Sequence, residues 1–256
     1  MKEFLNLQKI FLFTIFIFFL NSPFFFGQIP VQQNIKTALV ENLDSLGLKT
    51  GDMAFFQSTT FNGNMIQFGT LAPFTHSAMI VVTDNGDILL THATNNDYDG
   101  YLIPVIGEKV SRSGVILTKL EDLFLSTDGG KTGFYKHIWI RKLKTTKIKR
   151  PIASTVLHLY SKYKNHPFES SNFNFILSAF DFRIRKKDLL KSPKDENFMC
   201  SEYISHLFFD LAFPINPKEA PRETTPVDIY NLLGDYYDPP IVFGFNGGLY
   251  HIIDTD

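Results

Sequence analysis

Residues 75–93 read THSAMIVVTDNGDILLTHA, and this stretch decides the fold. Two aliphatic runs, Ser77–Thr83 and Asp87–Ala93, flank Asp84-Asn85-Gly86, which is the signature of a β-hairpin. A histidine stands near each outer end. Whether His76 and His92 share a face depends on the loop, because a one-residue slip turns every side chain over. A two-residue Asn85-Gly86 turn pairs Met79 with His92 and puts His76 on the opposite face. A three-residue loop with Gly86 left-handed pairs Ala78 with His92. His76 is then the same-face diagonal neighbour, about 7–8 Å away between backbones. Gly86 suits that position, since glycine takes positive φ without steric cost. The expectation that the two imidazoles meet stands or falls with this loop.

Working outward, strands are expected at Met53–Phe56 after a Gly51-Asp52 turn, at Val115–Leu117 and at Phe134–Leu143. Val242–Ile253 reads as strand and turn. Helices are expected from Pro151 to about Tyr163, over Asn172–Phe182 and over Ser201–Ala212. Val31, Ile35, Leu39 and Leu43 recur at helical spacing before Gly47, which reads as a linker entering a short helix over 28–47. Arg141–Arg150 (RKLKTTKIKR) holds six positive residues and no acid. It reads as a solvated strand edge guarded by lysines rather than as a site for lipid headgroups. The whole is α+β, a mostly antiparallel sheet packed against helices.

The 256 residues are 44% hydrophobic and 20% charged, which excludes low-complexity disorder and a polytopic membrane protein. With 25 basic against 26 acidic residues, no nucleic-acid partner is expected. A single cysteine excludes an internal disulfide and every multi-cysteine metal motif. No cofactor is expected, and without an HExxH or CxxC pair no metal is either. Residues Ile10–Leu20 are apolar apart from Thr14, Lys2 and Lys9 precede them, and Phe24–Phe26 follow. Residues 1–27 thus read as a signal peptide or a membrane anchor. The basic flank puts the remainder on the non-cytosolic side, membrane-anchored or secreted.

Cys200 opens a helical pattern in which positions 200, 203, 204, 207, 208 and 211 share one face. A helix start offers free N–H groups and partial positive charge, which lower a thiol pKa and can hold an oxyanion. Ser201 is the backbone donor of choice. His206 lies roughly 240° around the helix from Cys200 and cannot serve it. His76 and His92 can, one as base and one as orienter. Read singly, each histidine is an ordinary structural residue and Cys200 an ordinary core cysteine.

Several segments, in order, resemble a known family. They are Leu48-Lys49-Thr50-Gly51-Asp52-Met53, Thr75-His76-Ser77-Ala78-Met79-Ile80, Asn165-His166-Pro167-Phe168-Glu169, Phe198-Met199-Cys200-Ser201-Glu202 and Thr225-Pro226-Val227-Asp228-Ile229. Together they look like the circularly permuted papain-fold hydrolases, the YiiX/YebB-like branch of the NlpC/P60 superfamily, with lecithin–retinol acyltransferase a more distant relative. The resemblance covers roughly residues 48–232 and implies that 48–256 form a permuted papain-like hydrolase domain. It implies Cys200 as nucleophile, His76 as general base and His92 as the third polar group, where many members place an acid. The charged segment 183–196 and the apolar N-terminus depart from the pattern.

The chemistry so implied is acyl transfer through a thioester, on an amide or a lipid acyl substrate, with the membrane engaged through the N-terminal segment. Substrates of two kinds compete: a cell-wall peptide and a lipid amide or ester. A membrane-anchored binding protein using the same fold without catalysis is the reading of a different class.

Overall fold

Alternating aliphatic residues build strands around a long helix-free stretch of sequence, and the helices gather toward the second half. The structure, a computed structural model, describes residues 36–37, 39–41, 43–98, 100–169, 197–215 and 224–253. In chain order these hold β1 (Lys36–Thr37), β2 (Leu39–Val40), β3 (Met53–Ser58), α1 (Phe61–Thr70), β4 (His76–Val82), β5 (Ile88–Thr94) and β6 (Gly114–Lys119). There follow β7 (Leu125–Thr127), β8 (Thr132–Gly133), β9 (Tyr135–Arg141), α2 (Ala153–Tyr163), α3 (Cys200–Asp210), α4 (Pro226–Leu233), β10 (Ile241–Asn246) and β11 (Leu249–Ile253). Among the described residues one eight-stranded sheet dominates, in the order β2-β11-β10-β9-β3-β4-β5-β6. Every pair in it is antiparallel except β11 with β2. The molecule is therefore α+β, with a large, mostly antiparallel sheet packed against few helices.

The two faces of the sheet bury separate cores. Met53, Phe55, Met79, Val81, Leu89 and Ala93 face α2, α3 and α4, where Tyr203, Ile204, Leu207 and Phe208 meet them. Ala54, Phe56, Ala78, Ile80, Leu90 and Ile140 face the other way, under Tyr98, Ile103, Phe124 and Tyr135. Strict alternation along β3, β4 and β5 produces this split, since successive side chains point to opposite faces.

The hairpin closes with three residues. Met79 pairs with Thr91 and Val82 with Ile88, Thr83 N–H donates to Asp87 O at 3.0 Å, and Gly86 lies at φ 87°. Two segments fold differently from what their sequence suggests. Residues 36–37 and 39–40 are strands, not the helix that the spacing of Ile35, Leu39 and Leu43 predicts. Pairing with β7 and β11, both remote in sequence, overrides the local pattern. The basic stretch 141–150 does not guard an edge. It begins at the end of β9, which lies inside the sheet between β10 and β3. Arg141, 7% exposed, donates to the carbonyls of Tyr230, Gly234, Tyr237 and Asp238. Arg150 donates to the buried carboxylate of Asp52 at 2.6 Å.

Asp52 gives the Gly51-Asp52 turn its purpose. Its carboxylate also accepts from the N–H groups of Lys49 and Leu143, both near 3 Å. Gly51 is required beside it: φ is 92°, and a Cβ there would meet Pro151 at 2.9 Å. Pro151 itself stands before the N-cap, Ile152, and not inside α2. Among the described residues no helix is long and apolar enough to cross a membrane. The N-terminal segment 1–27, the expected helix Asn172–Phe182 and the charged segment 183–196 lie outside the described residues.

Candidate active site

The three-residue loop sets the register that brings the histidines together. His76, at the start of β4, places Nε2 2.8 Å from Nδ1 of His92 near the end of β5. The rings are edge-on, with centroids 5.0 Å apart. His92 is fully buried and its Nε2 lies 3.1 Å from Thr118 Oγ1 on β6. Three adjacent strands thus supply a chain of His76, His92 and Thr118. The chain has a polarity. If His76 Nδ1 is to take a proton, its Nε2 must carry hydrogen and donate to His92 Nδ1. His92 Nε2–H then donates to Thr118.

The electrostatics keep this chain neutral. Desolvation lowers His76 to about 3. His92 is pushed well below the usual histidine range by burial and then by the proximity of His76. Two imidazoles in such contact cannot both hold a charge in an apolar surrounding. The strand entering the site is fixed by Thr75, whose hydroxyl donates to Phe56 O and accepts from Ser58 N–H, at 2.8 and 2.9 Å.

Cys200 is the first residue of α3 and is 3% exposed. The N–H groups of Ser77, Ser201 and Cys200 itself lie close enough to its sulfur to favour the thiolate. Ser77 follows His76 in β4, so the helix start is docked at the strand end that carries the imidazole. Against the expectation of a depressed thiol, burial pushes Cys200 up, and the surrounding donors offset only part of that rise. The helix start acts in the expected direction, but desolvation wins. The resting thiol and imidazole are therefore both neutral.

Ser201 combines a backbone N–H at the sulfur with a side chain that donates to Thr224 O at 2.5 Å. Thr225 next caps α4, so this bond ties α3 to the start of α4. Tyr203, one turn on, meets Thr91 of β5 with hydroxyls 2.6 Å apart. His206 lies away from the thiol, against Tyr163 and Phe198. Tyr98 and Tyr135, in the core of the other face, stand with ring centroids 6.2 Å apart and close to Thr94. Burial raises both phenols, with a smaller rise from nearby Cys200. Both are donors at neutral pH. Among the described residues no group of three His, Cys, Asp or Glu side chains could hold a metal ion.

Ser77, Thr118, Tyr98 and Tyr135 were not legible as site residues. Serine and threonine in a strand, and tyrosine in a loop or strand, carry no signal of their own; only the sheet register places them.

A hairpin that joins His76 to His92, and a helix that starts on Cys200 next to Ser77, define an α+β protein with a coupled imidazole pair and a buried thiol. No protein-family model matches the chain, and no curated protein matches it. A structural neighbour is the metalloprotein YiiX (DUF1105) from Escherichia coli O157:H7. It is 17% identical, with a TM-score of 0.39, over 66% of this chain and 69% of that one.

Proposed function

We propose that the chain is a thiol-dependent hydrolase or acyltransferase of the permuted papain type, with Cys200 as nucleophile, His76 as general base and His92 as the group that orients it. The observation that carries this reading is the 2.8 Å contact between His76 Nε2 and His92 Nδ1, which leaves His76 Nδ1 open to a proton in the tautomer with hydrogen on Nε2. The ordered motif resemblance supports it independently.

In the proposed reaction the Cys200 proton passes to His76 Nδ1 as sulfur bonds to the carbonyl carbon of an amide or ester. N–H groups at the start of α3, that of Ser201 among them, receive the oxyanion. The leaving amine or alcohol takes the proton from His76, and a thioester remains. Water, deprotonated by His76, then releases the acid and restores the thiol. The starting pair is neutral, so proton transfer accompanies attack and does not precede it. The substrate is an amide or a lipid acyl group, and the membrane is engaged through residues 1–27, with the domain on the non-cytosolic side.

The test is turnover of acyl esters and of a muramyl-type peptide by the full chain. Cys200→Ala is expected to abolish turnover with an unchanged thermal midpoint. Turnover undiminished in that variant would overturn the assignment. One observation favours a second reading, a binding protein on the same scaffold: the thiol is 3% exposed and raised by burial. In that case neither substrate is turned over.

A further inference from the structure

We propose that Ser77 is a positioning residue whose hydroxyl is held in reserve for the Cys200 sulfur, to be engaged when that sulfur becomes negative. This rests on Cys200 being the nucleophile. Ser77 is 0% exposed. Among the described residues, its Oγ and Arg150 Nε are the buried side-chain polar atoms without a hydrogen-bond partner. Arg150 is satisfied through its other nitrogens, which bond Thr50 O, Asp52 and Leu143 O. Ser77 has no such alternative. Other buried hydroxyls nearby find a carbonyl: Thr75 bonds Phe56 O, Ser201 bonds Thr224 O and Ser205 bonds Ser201 O.

Alternation along β4 puts the Ser77 side chain on the face that carries α3, opposite to the His76 imidazole. There its hydroxyl lies near enough to the Cys200 sulfur to favour a thiolate, yet outside hydrogen-bond geometry in the resting state. Against a neutral thiol such a contact is weak, because sulfur is a poor acceptor. Against a thiolate it is charge-assisted and roughly twice as strong as a neutral hydrogen bond. A donor that gains most when charge appears accelerates the step that makes the charge. Ser77 thus meets the negative charge on the face that carries α3, one residue along β4 from the proposed base His76.

The experiment is alkylation of the full chain by iodoacetamide across pH, followed by mass spectrometry. The chain holds one cysteine, so all label reports Cys200. Ser77→Ala is expected to move the alkylation midpoint up by about one pH unit, a roughly tenfold slower reaction at mildly alkaline pH. Its thermal midpoint should be unchanged or higher, since an orphaned buried hydroxyl has been removed. Ser205→Ala, which deletes a buried hydroxyl bonded within α3, should leave the profile in place. A Ser77→Ala profile that coincides with the wild type, or moves down, overturns the proposal. So does a lowered thermal midpoint without a shift, which would make the hydroxyl structural, and so does a wild-type thiol that never reacts. The reaction needs no substrate. A shifted profile without hydrolysis would sink the acyl-transfer reading alone, and hydrolysis with an unmoved profile would sink the Ser77 assignment alone.

Discussion

A histidine held neutral by burial leaves a mark on the acid side of the stability curve. His76 and His92 both titrate below the unfolded value near 6.5, so the unfolded chain binds more protons as pH falls. Their contribution is complete above about pH 6.5 and is lost progressively below it. Each adds up to about 1.4 kcal/mol per pH unit to that slope. Urea unfolding of His92→Gln between pH 6 and 4 is expected to show a shallower loss than the wild type. An identical slope would mean that His92 charges inside the fold. The same shifts govern catalysis in the proposed reaction: with His76 down to about 3 and Cys200 raised, kcat/KM should stay level between pH 5 and 8. An acid limb near 6.5 would contradict it. The meeting of His76 and His92 was legible in the sequence, because loop grammar alone fixes which residues of a hairpin share a face. The thiol's charge state was not. Helix position can be read locally, whereas the burial of Cys200 comes from the docking of α3 on β4 and β5, strands remote in sequence.

At the scale of elements, the hairpin and the anchoring of α3 decide where the reactive groups sit. Gly86 has φ 87° and open space around a would-be Cβ, so Gly86→Ala carries backbone strain without a clash. A loss of about 1 kcal/mol is expected in chemical denaturation. Tyr203 and Thr91 form the buried polar tie between α3 and β5. Tyr203→Phe or Thr91→Val each strands a buried hydroxyl and should cost about 1–3 kcal/mol, while the double variant should cost less than the sum. A strictly additive cycle would show that the hydroxyls do not interact. α4 shows how an element can be signalled and still be overlooked. Thr225, Pro226 and Asp228 make a capping box with proline at the first turn, but eight residues give little periodicity to set beside them. The stretch 141–150 is the opposite case, since its six positive charges suggest a solvated edge while Arg141 is buried at the end of the interior strand β9.

Across the described residues, long-range polar clamps join the elements of the sheet alongside its two cores. Asp52 joins the entry to β3, the exit of β9 and the approach to α2 through Lys49, Leu143 and Arg150. Arg150→Met would leave a carboxylate buried beside two N–H donors and no cation. A loss of about 3 kcal/mol is expected, read as a fall in the denaturation midpoint. A change under about 0.5 kcal/mol would show that the two amides suffice.

Phe168 and Phe198 form a parallel bridge, and Glu169 N–H donates to Phe198 O while Phe198 N–H donates to Pro167 O, at 3.1 and 2.9 Å. These bonds clasp the chain on either side of residues 170–196 two positions before Cys200. The clasp thus holds the backbone two positions before Cys200 against a segment remote in sequence, so the start of α3 is seated by Pro167 and Glu169 as well as by its own packing on β4.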